Sequence, residues 1–495
     1  MILDARELAD SAVLTADVCI AGGGAAGLTL GLSLRNKGLT VCILESGGYE
    51  PDNAVQALYQ GTMSGIKTWE LDKCRMRLLG GTTYHWEGLC RPFVPEDFTA
   101  RAYIPGSGWP VTYEDIVPFY RRAHRTLGLG GFDYDARALS ERLQFPLLLA
   151  DSDVVEPRFY QLSPPVRFGT RYRTDLNEAP DVHVYLHANV VDIRLTAAGG
   201  PVSHFECKTL EGTSFRVEAQ RYVLALGGLE NARVLLASNA QQSEGIANGS
   251  GRVGYFLEHP HYYRCIALLT KPSDLRFYRR NRVDIPVDGQ SQLVDVYGGF
   301  GLSAAVRAGA GLPDFTATLE PAALEEADTG RLPAKTMQAL TVSGAGRPEL
   351  LRLSLQTEQT PTPESRMTLG NEVDALGMPR IDLHWTIRSD DNEALCRAAE
   401  LLGVELGRAG LGRAWVPLQD QRFAWIRNAG CHHMGTTSMS ADASLGVVNA
   451  RCQAHDVENL YIAGSSVFVT GGACNPTLSI VALAHRLADH LEETF

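Results

Sequence analysis

The sequence contains Asp17-Val-Cys-Ile-Ala-Gly22-Gly-Gly24-Ala-Ala-Gly27, a short apolar run followed at once by three glycines at the spacing GxGxxG. The apolar run is typical of a buried parallel strand. Among the glycines, Gly22 permits a tight turn, Gly24 lets a pyrophosphate approach the backbone, and Gly27 lets the next helix pack on the strand. The pattern predicts a strand, a turn and a helix that runs from Ala25 to about Asn36.

The residues that follow this helix support nucleotide binding. A second strand is predicted over residues 40–44, and it ends at Glu45, whose carboxylate can accept hydrogen bonds from ribose hydroxyls. The N-terminus of the helix offers free N–H groups and a partial positive charge to phosphates. A dinucleotide site is therefore expected, with contacts from Ala25, Ala26 and Ser46 beside the glycines and Glu45. The motif alone does not separate FAD from NAD.

Length and composition indicate a soluble globular protein of two domains. The chain has 495 residues, of which 45% are hydrophobic and 21% charged, and one simple core rarely serves so long a chain. Its net charge of −12 argues against nucleic acid or an anionic membrane as a partner. The ten cysteines include no CxxC pair, so no metal site is expected. No apolar run is as long as the roughly 20 residues that are needed to span a bilayer. The N-terminus also lacks the features of a signal peptide, so a cytoplasmic location is expected.

The rest of the chain shows two patterns of polar and apolar residues. Residues 221–228 and 459–464 each form an apolar run that ends in glycine, which is typical of further strands of the same parallel sheet. Between about Pro260 and Arg422, polar and apolar residues alternate, as they do in half-exposed antiparallel strands. The expected fold class is α/β plus α+β. It comprises a Rossmann-type FAD-binding or NAD-binding domain from residues 1–100, 181–259 and 423–495, and a substrate domain on an antiparallel sheet from residues 101–180 and 260–422.

Two segments, residues 431–436 and 472–476, concentrate polar atoms that are suited to chemistry. A histidine with a near-neutral pKa can take the proton of an alcohol as its C–H hydride leaves, and an asparagine amide can hold the same oxygen. A helix that begins at Pro476 would direct its positive end at the charge developing on a reduced cofactor. Adjacent histidines are also common as a structural or exposed pair, and the pattern alone leaves both interpretations open.

Nearly from end to end, the chain resembles the glucose–methanol–choline (GMC) oxidoreductases, flavoenzymes that oxidise alcohols with FAD. The motifs that carry the resemblance are the glycine motif with Glu45, Gly80-Gly81-Thr-Thr-Tyr-His85-Trp86, Trp109-Pro110 with Tyr113 and Asp115, residues 224–231, and residues 432–489. The last is the most specific, since it combines a histidine four residues before the Thr of a Gly-Thr pair with a later Asn-Pro. The resemblance implies the two-domain fold that this family shares with p-hydroxybenzoate hydroxylase. Its motifs are most similar to the branch of pyranose oxidase, fructose dehydrogenase and bacterial glycoside oxidases.

The resemblance also implies roles for individual residues. His432 would be the catalytic base and Asn475 its partner, with His433 directed elsewhere. In some relatives the histidine that matches His85 is joined covalently to the flavin 8α-methyl, so His85 is expected to form that bond or to contact the ring edge. Ala463-Gly464-Ser465 replaces an acidic residue of many flavoproteins, which makes its backbone N–H groups candidates for the ribityl contact. The full set of implied cofactor contacts adds Gly80, Gly81, Thr82, His85, Trp86, Val190, Gly227, Gly464, Ser465, Asn475, Pro476 and Thr477 to those of the glycine motif.

Candidate substrate contacts are Gln356, Glu358 and Gln359, together with His432 and Asn475. The first three lie on an alternating strand of the middle region, which the family uses as a wall facing the flavin. Amides and a carboxylate suit a polyhydroxylated ligand. A solvated strand face is the alternative interpretation of the same three residues.

The expected function is oxidation of a CH–OH group, a sugar or glycoside ring hydroxyl, with proton abstraction by His432 and hydride transfer to flavin N5. One alternative is a GMC-fold oxidase or dehydrogenase of a non-sugar alcohol or a biosynthetic intermediate. Another is a non-redox flavoprotein of this fold, a lyase or a sensor, and a third is a NAD-dependent dehydrogenase. Oxygen, a quinone or a redox protein would serve as electron acceptor, and the sequence leaves that choice and the oligomeric state open.

Overall fold

The computed structural model describes residues 1–66, 68–270, 273–322, 349–415 and 430–495. Its first sheet is built around the glycine motif. Residues 18–21 form the fully buried end of strand β2 (Ala12–Ala21), and their parallel partners are the four residues of β3 (Val41–Leu44). Helix α1 (Ala25–Leu34) connects the two strands, because parallel neighbours need a crossover. The predicted strand–helix–strand unit is thus confirmed.

The other strands of the first sheet come from three distant parts of the chain. They are β1 (Ile2–Asp4), β7 (Val182–Leu186), β8 (Asn189–Leu195), β9 (Val202–Lys208), β10 (Ser214–Leu224) and β19 (Leu460–Ile462). The eight-stranded sheet has the order β1–β7–β3–β2–β10–β9–β8, with β19 beside β10. Since β2, β3, β10 and β19 run parallel, their carboxyl ends meet at one edge, where ligands bind in sheets of this type.

The second large sheet is antiparallel. Its strands are β5 (Leu89–Cys90), β6 (Val155–Leu162), β11 (His261–Leu269), β12 (Asn281–Asp284), β13 (Leu293–Leu302), β14 (Phe315–Pro321), β15 (Glu349–Thr357) and β18 (Gly412–Trp415). Their order is β18–β11–β15–β14–β13–β6–β5, with β12 against β13. On β15 the three leucines at 351, 353 and 355 are buried, whereas the polar residues between them are only partly buried. The alternation predicted for this strand is confirmed.

A small third sheet joins parts of the chain that were assigned to different domains. It pairs β4 (Gly61–Gly65) with β17 (Pro379–Trp385), which in turn pairs with β16 (Arg366–Val373). Similarly, β5 precedes residue 100 but belongs to the second large sheet. Strands therefore cross the expected domain boundaries in two places, and the boundaries themselves stay a prediction.

Helices cover the sheets and close the chain. They are α1, α2 (Asn53–Gln56), α3 (Pro95–Phe98), α4 (Tyr113–Thr126), α5 (Ala136–Leu143), α6 (Phe168–Arg171), α7 (Arg173–Glu178), α8 (Glu230–Ala237), α9 (Ala304–Ala310), α10 (Ser389–Arg408) and α11 (Thr477–Glu493). The C-terminal helix α11 packs on α1 and α4, which returns the end of the chain to the glycine motif. It begins at Thr477, one residue later than expected. Within the described part of the chain, no helix combines the length and apolar character needed to cross a membrane.

Candidate active site

A cavity of about 1200 Å³ lies between the two large sheets. Gly22, Gly24 and Glu45 line it on the side of the first sheet, and His432 and Asn475 line it as well. On the side of the second sheet the lining is mostly polar and includes Tyr160, Tyr297, Thr316, Thr318, Ser354 and Gln356. Such a volume suits a large cofactor together with a small ligand.

The glycine motif shapes one end of this cavity by sterics. Gly22 has φ +110°, and a Cβ there would lie 2.4 Å from the carbonyl oxygen of Ala225. A Cβ on Gly27 would lie 1.9 Å from the carbonyl oxygen of Gly22, so the close approach of α1 to the turn requires glycine. In contrast, a Cβ on Gly24 would meet no protein atom within 4 Å. The space above Gly24 is therefore open at the N-terminus of α1, where a phosphate group would be favoured.

Glu45 is held at the carboxyl end of β3 by backbone donors. Its Oε2 accepts a hydrogen bond from the N–H of Gly23 at 2.9 Å, and its Oε1 accepts one from the N–H of Gly47 at 2.8 Å. Burial raises the pKa of this carboxyl group. Oε1 also accepts a hydrogen bond from the Ser46 hydroxyl at 3.3 Å, whereas Oε2 keeps a second lone pair that can accept a hydroxyl hydrogen from a ribose.

Most of the expected cofactor contacts line this one cavity. The residues in question are Gly22, Gly24, Ala25, Ala26, Glu45, Ser46, Gly81, Thr82, His85, Trp86, Val190, Gly227, Gly464, Ser465, Asn475, Pro476 and Thr477. Gly27 and Gly80 are not part of the lining. Gly27 packs on the backbone of Gly22, and a Cβ on Gly80 would lie 2.4 Å from the backbone nitrogen of Gly169. Both glycines shape the walls of the cavity through backbone packing.

His85 and Trp86 follow a short 3₁₀ turn, Gly81–Tyr84, at the side of the cavity. The His85 side chain is exposed towards this space. Partial burial lowers its pKa, which favours the neutral ring with one nucleophilic nitrogen. Trp86 is fixed by its indole N–H, which donates to the carbonyl oxygen of Val166 at 3.1 Å.

The structure brings His432 and Asn475 together from segments on either side of β19. Nε2 of His432 lies 3.3 Å from Nδ2 of Asn475. Asn475 lies just before α11, whose N-cap residue is Pro476. The amide of Asn475 is directed to the histidine and the cavity.

The environment of His432 keeps its ring neutral. Burial, together with the nearby rings of His259, His261 and His433, lowers the pKa of His432 well below its usual range. A neutral imidazole has one nitrogen that can accept a proton. The group that the sequence singles out as a base is thus in the protonation state that a base requires.

Glu258 connects the two segments that carry these histidines, and sequence reasoning missed it. Its Oε1 accepts hydrogen bonds from the backbone N–H of His432 at 2.8 Å and from that of His259 at 2.9 Å. Beside it, Leu257 and Met434 exchange two backbone hydrogen bonds of 3.0 and 2.9 Å. The signal that could have revealed it is Glu258-His259-Pro-His261, a dense group of titratable residues just before a strand.

His433 is directed to a different part of the structure. It is buried, and its Nε2 lies 3.8 Å from Oε2 of Glu258 and 3.8 Å from Sγ of Cys74. Its ring also lies beside that of Phe256. The two adjacent histidines thus point to different parts of the structure, and their roles stay a prediction.

Two of the three substrate contacts expected on β15 lie outside the cavity lining. The strand ends at Thr357, so its alternation no longer determines where the following side chains point. Glu358 is fully buried and accepts two hydrogen bonds from Arg101, of 2.8 and 2.7 Å. The buried amide of Gln359 is occupied by three hydrogen bonds with protein groups. Gln356 alone of the three lines the cavity.

The histidines at this site are arranged for hydrogen bonding. Nδ1 of His259 and Nδ1 of His432 lie 2.8 Å apart. A metal ion bound by both at about 2.0–2.1 Å would hold the two nitrogens farther apart. Among the described residues, no group of three or more His, Cys, Asp or Glu side chains could hold a metal ion.

Comparison with known protein families gives two matches to this chain. Residues 17–70 match the FAD binding domain, and residues 361–484 match the GMC oxidoreductase family. This chain therefore contains an FAD-binding domain and a GMC oxidoreductase domain. It is an enzyme that uses FAD, and the glycine turn, Glu45 and the open space above Gly24 provide a site that fits the dinucleotide.

Some characterised relatives match this chain over nearly all its length, and others match a shorter part at higher identity. It is 24% identical to 2-methyl-1,2-propanediol dehydrogenase of Mycolicibacterium austroafricanum, over 97% of this chain and 95% of that protein. It is 23% identical to the fructose dehydrogenase large subunit of Gluconobacter japonicus, over 96% of this chain and 97% of that protein. Over 25% of this chain and 23% of the relative, it is 38% identical to C-glycoside 3-oxidase of Microbacterium trichothecenolyticum.

Solved structures confirm the fold of this chain. Pyridoxine 4-oxidase from Mesorbium loti superposes with a TM-score of 0.59 at 17% identity, and the match covers 96% of this chain and 98% of that one. At this identity the likeness concerns the fold alone. It agrees with the two-domain class expected from the sequence.

A single added methyl group should affect cofactor binding at Gly24 and stability at Gly27. Gly24→Ala is expected to weaken FAD binding tenfold or more, about 1.4 kcal/mol, because the methyl enters cavity space and meets no protein atom. Gly27→Ala is expected to lower the unfolding temperature of the apoprotein, because its methyl collides with the turn at Gly22. FAD titration and calorimetry of the apoprotein, in a His85→Ala background that prevents covalent attachment, measure both effects. Wild-type affinity in Gly24→Ala would show that the phosphates lie elsewhere.

Proposed function

We propose that this enzyme oxidises a CH–OH group of a sugar or glycoside ring, with His432 as the base and Asn475 as the group that holds the reacting oxygen. The observation that carries the proposal is the approach of Nε2 of His432 to within 3.3 Å of Nδ2 of Asn475. Both side chains line the cavity between the FAD-binding edge and the polar face of the second sheet. An alcohol bound there would have its hydroxyl beside a neutral base and an amide donor.

Each of the two residues has a distinct part in the proposed reaction. His432 accepts the hydroxyl proton at its unprotonated nitrogen while Asn475 donates a hydrogen bond to the alcohol oxygen and orients the carbon. FAD, when bound, supplies the acceptor for the hydride that leaves this carbon. Helix α11 begins at Thr477 within the cavity lining, so its N-terminal N–H groups favour negative charge nearby.

The second sheet supports a polyhydroxylated substrate. Neighbouring strands present a continuous polar row in which Tyr160 pairs with Tyr297, Thr318 with Ser354, and Thr316 with Gln356. Hydroxyl and amide groups at fixed spacing can each bond one hydroxyl of a ring. Two of the relatives are named for fructose and for C-glycosides, which supports the same substrate class.

A small diol is the second candidate substrate. The observation that favours it is the relative named 2-methyl-1,2-propanediol dehydrogenase, which matches over nearly the whole chain. The catalytic pair would act on a diol in the same way, since it contacts only the reacting CH–OH group. A diol would contact fewer side chains of the polar row than a sugar ring would, which makes this candidate the weaker one.

The paired variants His432→Ala and His433→Ala test the role of the base. His432→Ala should slow anaerobic flavin reduction by about 10²- to 10⁴-fold, the usual contribution of a general base, with FAD still bound. His433→Ala is the matched control and should be much milder, because its ring faces Glu258 and Cys74. Since the pKa of His432 lies well below its usual range, the wild-type rate should show no loss from protonation of His432 down to pH 6.5. Stopped-flow absorbance measures each rate, and the reverse ranking of the two variants would refute the assignment.

A substrate panel separates the two substrate classes. Sugars and glycosides are expected to bleach the flavin under anaerobic conditions, whereas 1,2-diols of similar size to the relative's substrate should do so far more slowly. The polar row supplies the difference, because a ring with several hydroxyls can form hydrogen bonds to more of its side chains than a diol can. Working without oxygen makes the result independent of whether oxygen, a quinone or a redox protein is the acceptor. Faster bleaching by diols would move the proposal to the second class.

We further propose that His85 forms a covalent bond to FAD. Such a bond would join a ring nitrogen of His85 to the flavin 8α carbon. The displaced methyl hydrogen would leave as a proton, and the electron pair of its C–H bond would stay on the flavin until the electron acceptor removes it. His85 lines the cavity, and partial burial favours its neutral form, which has a nucleophilic nitrogen. The bond would prevent the cofactor from dissociating.

Acid precipitation tests the link at His85. The wild-type protein is expected to retain yellow colour in the pellet, and His85→Ala should release all its flavin to the supernatant. Trp86→Phe serves as a control, because it changes the adjacent ring without removing a nucleophile. Complete release of flavin from the wild-type pellet would show that the cofactor is bound without a covalent bond.

A further inference from the structure

His259 lies directly behind the proposed base. It is fully buried and follows Glu258 just before β11. Its Nδ1 is 2.8 Å from Nδ1 of His432, and its Nε2 is 3.0 Å from the carbonyl oxygen of Gly471. A Cβ on Gly471 would lie 2.7 Å from this Nε2, so glycine is required for the ring to approach the carbonyl so closely.

The partners of His259 determine which of its nitrogens carries the proton. Burial lowers the pKa of His259 to about 4, so at neutral pH the ring has a single N–H. A carbonyl oxygen can only accept, and therefore the N–H is at Nε2, facing Gly471. The amide Nε2 of Gln356, which can only donate, lies 3.3 Å from Nδ1 of His259. Both partners leave Nδ1 of His259 as an unprotonated acceptor.

This assignment fixes the protonation of His432 in turn. Since Nδ1 of His259 has only a lone pair, the 2.8 Å contact is a hydrogen bond only if Nδ1 of His432 donates. His432 is also neutral, so its other nitrogen, Nε2, carries the lone pair. That nitrogen is the one 3.3 Å from the amide nitrogen of Asn475, at the cavity.

We propose that His259 is a positioning residue that holds His432 with its proton on Nδ1 and its lone pair on Nε2, directed at the substrate. The proposal rests on the proposed role of His432 as base and names what prepares it for that role. When Nε2 accepts the hydroxyl proton, the ring becomes cationic and its bond to His259 becomes charge-assisted, hence stronger. The second histidine thus favours the product of proton transfer without contacting the substrate.

Two variants of similar shape test the positioning role of His259. His259→Asn can place its Oδ1 where Nδ1 stood and accept from His432, whereas His259→Leu has the same shape without an acceptor. We expect the leucine variant to slow flavin reduction by about 10- to 10²-fold, less than loss of the base itself, and the asparagine variant to remain within a few-fold of wild type. FAD absorbance and the unfolding temperature verify that both variants fold. Equal rates in the two folded variants would overturn the proposal.

A second measurement reads the proton position directly and does not depend on activity. In ¹⁵N spectra of histidine-labelled holoenzyme at pH 7, the resonances lost in His432→Ala belong to His432, one of 13 histidines. They should show a protonated Nδ1 and an unprotonated Nε2, and a proton on Nε2 would overturn the proposal even if the leucine variant did not fold. If His432→Ala reduced flavin at the wild-type rate, the proposed function would fall, whereas the spectrum would still decide the tautomer.

Discussion

The buried carboxylate of Glu258 is the group on which the geometry of the active site depends. It accepts hydrogen bonds from the backbone N–H groups of two residues. One is His259, the next residue, and the other is His432, which lies 174 residues further along the chain. Burial raises the pKa of Glu258 to about 7, because the ionised carboxylate loses hydration that the two backbone donors only partly replace. Loss of the carboxylate would leave two backbone donors without this partner, at a cost of about 1–3 kcal/mol each. The positions of His259 and His432 relative to each other therefore depend on the Glu258 side chain and on the adjacent backbone pairing of Leu257 with Met434.

The two large sheets divide the remaining tasks. The parallel sheet offers an edge at which glycines and Glu45 leave room for a dinucleotide. The antiparallel sheet presents hydroxyl and amide side chains on one face, while its opposite face is buried. The segment from β19 to α11 passes between them and carries Asn475. The FAD-binding edge, the proposed base and the polar row are thus formed by separate parts of the chain that line a single cavity.

Local patterns in the sequence predicted much of the site, but they failed where a regular pattern ended. The alternation on β15 accounts for Gln356 in the cavity lining, because a strand turns successive side chains to opposite faces. The strand stops at Thr357, and Glu358 instead meets Arg101, which lies 257 residues away in the sequence. No periodicity encodes such a pair. Likewise, Glu258 and His259 carry no pattern of their own, and their roles follow only from what packs against them.

The sequence by itself determined the dinucleotide fold and singled out the proposed catalytic pair. Glycine spacing, apolar runs and the acidic strand end are local constraints that act within about 30 residues, the length of one strand–helix–strand unit. Tertiary structure decided the orientation of His432 and the partners from which we infer its protonation. The proton position on His432 depends on an acceptor in His259, which in turn depends on the carbonyl of Gly471. Hydrogen-bond direction is set by which groups meet in space, and three distant segments must fold together before that direction is defined.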